Sequence, residues 1–274
     1  MLTKAKKTYA EFPRTFWTLM AASFIDRLGG ALIFPFFSLY ITEKFGVGMT
    51  QVGYLFAIFS ISSLLGSFLG GAMTDKFGRK AMILFGLVVS ATSSVLMGIV
   101  NDLVQFYSIA ALVGLLSNAG GPAQQAMIAD LLDEEKRTEG YGIWRVVANL
   151  AVVIGPAIGG LLAAQSYLLL FITDAITSLI TAVIVFVVIP ETKPERAKDQ
   201  PSESFLQTVG GYGRVLRDGL YMAFISVSML MVIVYMQMNS TLSVYLRDVH
   251  GIPPQGFGYI LSLNAAMVVA FQFW

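Results

Sequence analysis

The sequence predicts an all-α protein that crosses a membrane several times, and three observations predict it. Of the 274 residues, 56% are hydrophobic and only 13% are charged, where a soluble domain carries about 25%. The charges avoid long stretches: residues 81–101, 103–129, 219–246 and 249–274 contain none. Each stretch reaches the roughly 20 residues that a helix needs to cross a ~30 Å hydrocarbon core. The cations are also unevenly shared, because fourteen of the 18 lysines and arginines fall on one side of the predicted membrane and two, Lys44 and Arg247, on the other. By the positive-inside rule the fourteen mark the cytoplasmic face.

Hydropathy, punctuated by glycine, proline and charge, places spans near 16–41, 52–73, 81–100, 104–129, 141–164, 167–189 and 219–246, with an eighth beginning at 257 and still open at Trp274. The first follows Lys4, Lys6, Lys7 and Arg14 and has no small-residue cleavage site behind it. It reads as a retained helix with a cytoplasmic N-terminus, not as a signal peptide. Between the sixth and seventh spans, Pro190, Pro194 and Pro201 stand among dense mixed charge. The expected organisation is a six-helix bundle over residues 1–189, a cytoplasmic linker over 190–218 and the opening of a second, incomplete bundle over 219–274. Within the linker, Ser202 to Arg217 places Phe205, Leu206, Val209, Tyr212 and Leu216 on one side of a short interfacial helix; a disordered tether is the alternative.

Composition also excludes. Without cysteine there is no disulfide framework, thiolate nucleophile or zinc-thiolate site. With His250 the lone histidine, neither a histidine metal centre nor a Ser-His-Asp triad is expected. The chain is therefore read as a non-enzyme with no catalytic residue, metal or cofactor. A net charge of +1 suggests no nucleic-acid partner. The expected partners are the lipid bilayer, a small-molecule substrate and protons, with the protein acting as a monomer.

The loop between spans 2 and 3 reads Gly71-Ala72-Met73-Thr74-Asp75-Lys76-Phe77-Gly78-Arg79-Lys80. Gly71 lets one helix end approach a neighbour, Asp75 offers an acceptor to helix N-terminal amides or to an arginine, and Gly78 permits a tight reversal before Arg79 and Lys80 face the cytoplasm. The string resembles the G-x-x-x-D-[RK]-x-G-R-[RK] signature of the major facilitator superfamily, with every defining position matched. In span 5, Gly155-Pro156-Ala157-Ile158-Gly159-Gly160 follows Gly142 at the spacing of that superfamily's antiporter motif. Gly155 and Gly159 share a face and allow close backbone packing, while Pro156 removes an intrahelical hydrogen bond and bends the helix. Ala151 stands where the motif has a glycine, and Ile109 to Leu112 stand where proton-coupled members begin span 4 with an arginine. Later in span 4, Gly120 to Gln125 and the terminal Asp130 again look like the family. The resemblance implies a major facilitator fold, alternating access between two halves, a pairing of Asp130 with Arg79 and a gate of the drug:proton antiporter type.

Four charges fall inside spans: Asp26, Arg27, Arg145 and Asp174. On translocon scales one such charge near the bilayer centre costs about 2.5–3.5 kcal/mol, so these are expected to face protein or a wet cavity. Asp26 lies about ten residues into span 1, ~15 Å along the helix and near the midplane. A carboxyl desolvated there suits a group that exchanges a proton, and Gly30, Ile33, Phe37 and Tyr40 follow it at helical spacing as a cavity-lining stripe. A buried ion pair of Asp26 with Arg145 is the alternative. Arg145 and Asn149, on one face of span 5, are expected to project a cation and an amide into the same cavity. Asp174 matches, by the resemblance, an acid common in related transporters and is the second candidate for proton coupling.

In span 7, Tyr235, Gln237 and Asn239 supply polar tips among Met229, Met231, Met236 and Met238, an adaptable surface for varied apolar substrates. The candidate cavity residues are thus Arg27, Phe37, Gln125, Arg145, Asn149, Tyr235 and Gln237. The expected function is a plasma-membrane transporter that exports small amphipathic compounds in exchange for protons. A sugar or metabolite carrier of the same superfamily is the alternative, and a non-transporting membrane sensor is the reading from another class.

Overall fold

The computed structural model describes residues 9–117, 119–193 and 217–271. The expected interfacial helix at 202–217 lies outside them except for its last residue, as do Lys4, Lys6, Lys7 and Trp274. The first span is α1 (Arg14–Ile33) and α2 (Phe37–Phe45), joined by a 3-10 turn at Phe34–Phe36 that contains Pro35. Then come α3 (Met49–Phe77), α4 (Arg79–Ile99), and a fourth span made of α5 (Leu103–Ser117) and α6 (Gly120–Asp130). The fifth and sixth spans are α7 (Glu134–Gln165) and α8 (Tyr167–Val188). Past the linker, α9 (Gly219–Met236) and α10 (Thr241–His250) form the seventh and α11 (Pro254–Phe271) opens the eighth. Among the described residues, seven of these segments are long and apolar enough to cross a bilayer. Span 5 starts about two turns earlier than expected, at Glu134, because Glu134 and Glu135 lie in its first turn, where acids favour the positive end of the helix dipole.

Within the first bundle α1 runs between α7 and α8, α4 packs against α8 and α6, and α3 lies against α5. Two apolar cores hold the ends of this bundle. Phe16, Leu19, Met127, Ile128 and Val185 close the basic end, where Lys76, Lys80 and Lys136 also gather; Tyr40, Ile41, Leu55, Phe106 and Phe171 close the other. A third cluster, including Leu32, Phe36, Phe257 and Leu261, joins the first bundle to α10 and α11. Leu64, Phe68, Phe186 and Phe224 stay exposed, as surface facing lipid requires, since hydrocarbon tails solvate them and no core is needed. The polar side chains inside spans therefore occupy the layer between the two end cores.

Candidate functional site

Asp26 sits where α1 packs on α8. Its Oδ1 accepts a hydrogen bond from Ser178 Oγ at 3.3 Å, and one turn away on α8 Asp174 accepts from Ser94 Oγ of α4. Gly29 makes the approach possible, because a Cβ there would stand 2.5 Å from Asp174 Oδ1 and 3.2 Å from Asp174 Cα. Thr181 Oγ1 ties the same two helices by donating to the Ala22 carbonyl at 3.2 Å. The result is a layer with two carboxyls, each holding a serine hydroxyl. Among the described residues neither carboxyl has a cation within 4.0 Å.

The alternative ion pair of Asp26 with Arg145 is absent from this arrangement, and helical phase explains why. Successive residues are turned by about 100°, so Asp26 addresses α8 while Arg27 addresses α7, where its guanidinium lies 4.9 Å from the centroid of the Trp144 ring. Arg145 is exposed on α7.

A cavity of about 550 Å³ borders the acidic layer, lined by Asp26, Arg27 and Gly30 of α1, Gln124 of α6, Asn149 of α7 and Asp174 of α8. A second, of about 360 Å³, shares Phe34 and Asn149 with the first and reaches Tyr235, Asn239 and Asn264. Arg27, Asn149 and Tyr235 thus line cavities, whereas four of the expected lining residues line neither. Phe37 packs among Phe106, Phe56 and Phe171, with ring centroids at 5.9, 6.1 and 6.4 Å; Ile33 and Tyr40 of the expected stripe share that core. The open face of α1 is centred between Asp26 and Arg27, not on Asp26, and the turn at Pro35 resets the phase beyond it.

Gln125 is displaced by its neighbour: Gln124 faces inward and donates to Ser23 Oγ at 2.7 Å, while the Gln125 carbonyl accepts from Tyr141 Oη at 3.0 Å. Because α6 is separate from α5, a phase carried along one continuous span misplaces it by a residue. Gln237 spends its amide locally, on the Ile233 carbonyl at 3.2 Å and the Thr241 hydroxyl at 2.5 Å. Arg145 is the fourth.

At the basic end Arg79 is buried and does not face solvent. Its Nε donates to Asp130 Oδ2 at 2.9 Å and an Nη to Asp75 Oδ1 at 3.2 Å. Gly78 reverses the chain at φ +101°, a conformation that favours glycine. The acceptor for the first amides of α4 is not Asp75 but Glu191, beyond the end of α8, which takes the N–H groups of Arg79 and Lys80 at 2.8 and 3.2 Å. Lys80 Nζ donates to the Phe186 carbonyl at 2.8 Å. Close helix approach rests on Gly70, where a Cβ would meet Ala119 Cα at 2.6 Å; Gly71 has open space.

In α7, Gly155 and Gly159 meet α1 through Ala31 and Leu32, while Gly160 meets the second bundle through Pro254, Gln255 and Gly258. Pro156 lies inside the continuous helix, and a Cβ at Gly142 would meet no other element within 4 Å. At the end away from the basic loops, an Nη of Arg247 donates to Thr42 Oγ1 at 3.1 Å, a second link between the bundles. Sequence reading missed Glu191, Gln124, Ser94, Ser178 and Asn264; only Ser178 carried a local signal, one helical turn after Asp174.

Membrane-length helices, glycine-mediated bundle contacts and a cavity bordered by charged side chains between the two end cores define a multi-pass helical protein of the transporter class. The chain belongs to the Major Facilitator Superfamily, whose sequence profile matches residues 19–274. It is 29% identical over 231 residues to the Na(+), Li(+), K(+)/H(+) antiporter of Planococcus maritimus, covering 79% of this chain and 54% of that protein. It is 32% identical over 158 residues to Multidrug resistance protein 2 of Bacillus subtilis (strain 168), covering 58% and 39%. The fold is similar to that of a bacterial homologue of the human lysosomal transporter Spinster in an inward-facing, unoccupied conformation. The TM-score is 0.75 at 16% identity, over 94% of this chain and 60% of that one. The chain spans about half the length of the curated relatives it matches.

Proposed function

We propose that this chain forms the first bundle, linker and opening of the second bundle of a proton-coupled exporter of small amphipathic compounds. It works as a monomer in the plasma membrane, with its basic end in the cytoplasm and its two bundles rocking about the central cavity. The observation that carries this reading is the acidic layer: Asp26 and Asp174 on adjoining helices, held by serines and, among the described residues, with no cation within 4.0 Å, at the wall of the larger cavity. Binding or losing protons there changes the sign of the wall, from two carboxylates against Arg27 to Arg27 alone. A ligand in the cavity then binds the two states with different free energies, which is the requirement for coupling. The names of the relatives, an antiporter and a multidrug resistance protein, agree with this direction.

The test uses the chain within its complete reading frame, reconstituted in vesicles that contain the pH dye pyranine and screened with amphipathic dyes. An imposed proton gradient should drive accumulation of at least one dye, and Asp26→Asn or Asp174→Asn should abolish that drive while counterflow exchange survives. Accumulation indifferent to the gradient overturns the reading. A second reading, exchange of monovalent cations for protons, is favoured by the all-oxygen surroundings of the layer, two carboxyls with the Ser94 and Ser178 hydroxyls, since alkali ions take hard oxygen ligands. The same vesicles decide it, with Na⁺, Li⁺ or K⁺ replacing the dye.

A further inference from the structure

We infer that Ser94 of α4 and Ser178 of α8 are the positioning residues of proton exchange: their hydroxyls hold the carboxyls of Asp174 and Asp26 and set the pH at which these take up protons. The inference rests on the exporter reading above and adds the residues that tune its proton step. Each acid is held by a helix other than its own, since Ser94 of α4 donates to Asp174 of α8 and Ser178 of α8 donates to Asp26 of α1 at 3.3 Å. Ser94, Ser178 and Asp174 are all buried. The other hydroxyls on this face of α8 are committed elsewhere: Thr181 donates to the Ala22 carbonyl at 3.2 Å and Thr177 to the Asp174 carbonyl at 2.8 Å. The threonines thus serve the backbone, and the two serines serve the acids.

The supply of protons decides what the serines do. An ionised carboxylate only accepts hydrogen bonds, and a hydroxyl has one proton to give, so each serine stabilises the ionised form of its acid. Besides each other, the two acids meet few charges. Among the described residues, Arg27 shares the cavity wall but lies against Trp144, and Arg145 is exposed on α7. Arg14, Arg79 and Lys80, the remaining cations of α1 and α4, lie in first turns, about 18–22 Å from the layer along their helices; α8 carries no charge besides Asp174. When a carboxylate takes a proton from the cavity it becomes a donor itself, and the serine that held it can accept and turn its own proton to a carbonyl of its helix. Ser23 of α1 already shows that second arrangement, accepting from Gln124 Nε2 at 2.7 Å and donating to the Leu19 carbonyl at 2.7 Å. The exchange makes and breaks only O–H bonds at the carboxyl, and the serine keeps its proton throughout.

The test is pH-difference infrared spectroscopy of the complete protein in lipid vesicles, which reads the C=O band of each protonated carboxyl, with Asp26→Asn and Asp174→Asn assigning the bands. Ser94→Ala should move the titration midpoint of the Asp174 band to higher pH by about 1–2 units, the worth of one hydrogen bond to a charged group. Ser178→Ala should move the Asp26 band in the same direction by less, because its bond is longer. Ser94→Thr, which restores a hydroxyl, should return most of the shift. Thr181→Val removes a hydroxyl that serves the backbone and should leave both midpoints in place, even where it lowers thermal stability. Should Ser94→Ala fail to fold, Ser178→Ala and the Asp26 band carry the test. Midpoints unmoved by the serine-to-alanine changes, a shift to lower pH, an equal shift in Thr181→Val, or no titrating band from either aspartate overturns the inference. Gradient-driven dye accumulation is measured separately: midpoints that shift as described without any accumulation would sink the exporter reading and leave the role of the serines standing, and accumulation with unmoved midpoints would do the reverse.

Discussion

Gly159 and Gly160 are adjacent on α7, yet substituting each should fail in a different way, because they touch different bundles. A Cβ at Gly159 would lie 2.5 Å from the Leu32 carbonyl oxygen and 3.1 Å from Leu32 Cα, inside the first bundle. At Gly160 it would lie 2.9 Å from the Pro254 carbonyl oxygen, 3.0 Å from Gln255 Cα and 3.4 Å from Gly258 Cα, all at the start of α11. These are backbone atoms and cannot rotate aside. Carbon atoms meet comfortably at about 3.5–4.0 Å, so Gly160→Ala forces α11 back by roughly 0.5–1 Å, and overpacking of this kind costs about 1–3 kcal/mol. The cost falls only on the arrangement in which the bundles meet at this point. Its population relative to the opposite arrangement should therefore drop by about 5- to 150-fold.

The 274 residues contain no cysteine, so, with any cysteine elsewhere in the complete reading frame replaced, spin labels at Val47→Cys and Val249→Cys report this end of the molecule. Electron–electron distance measurements in nanodiscs should show a new, longer population in Gly160→Ala. Gly159→Ala should instead lower the thermal stability of the first bundle and leave the distances in place. Distances unchanged by Gly160→Ala, or shifted equally by Gly159→Ala, would refute the assignment of these two glycines to different interfaces.

Four further outcomes are expected. Glu191→Gln keeps the size of the cap on α4 but removes its charge, worth about 0.3–1 kcal/mol at a helix N-terminus, and one of the two oxygens that accept the Arg79 and Lys80 N–H groups; hydrogen exchange at Arg79 and Lys80 should speed by at least about 2- to 5-fold, and unchanged exchange would discount the cap. Asp75→Asn should slow turnover while ligand affinity stays within about twofold, since among the described residues Asp75 bonds only Arg79 and its side chain is 62% exposed; lost affinity at normal turnover would contradict this. Asp26→Asn should give an ordinary yield of folded protein without Arg145→Gln beside it, because no ion pair joins them; rescue of a poor yield by the second change would show that the pair forms in another conformation. Lys198→Cys should resist a membrane-impermeant maleimide in intact cells and react after permeabilisation, and labelling of intact cells would reverse the proposed orientation.

The spans were legible because the bilayer imposes a local rule: every backbone polar group in hydrocarbon must be satisfied within its own helix, so uncharged runs of sufficient length declare themselves. The uneven sharing of cations and the loop from Gly71 to Lys80 were legible for the same reason, being runs of neighbouring residues. Tertiary structure alone decided which faces meet. Arg79 and Glu191 are 112 residues apart, Gln124 and Ser23 101, and Asp26 and Ser178 152; each pair is joined by the packing of whole helices, not by any local pattern. Phase errors had the same origin. A one-residue shift moves a side chain by about 100°, so Pro35 after α1 and the boundary between α5 and α6 were enough to send Phe37 into a core and to exchange Gln125 for Gln124. The sequence determined that charges lie inside the membrane and at what depth. Only the packing of α1 between α7 and α8 decided that Asp26 meets the serine of α8 while Arg27 meets a tryptophan, because two neighbours on one helix must look to different partners.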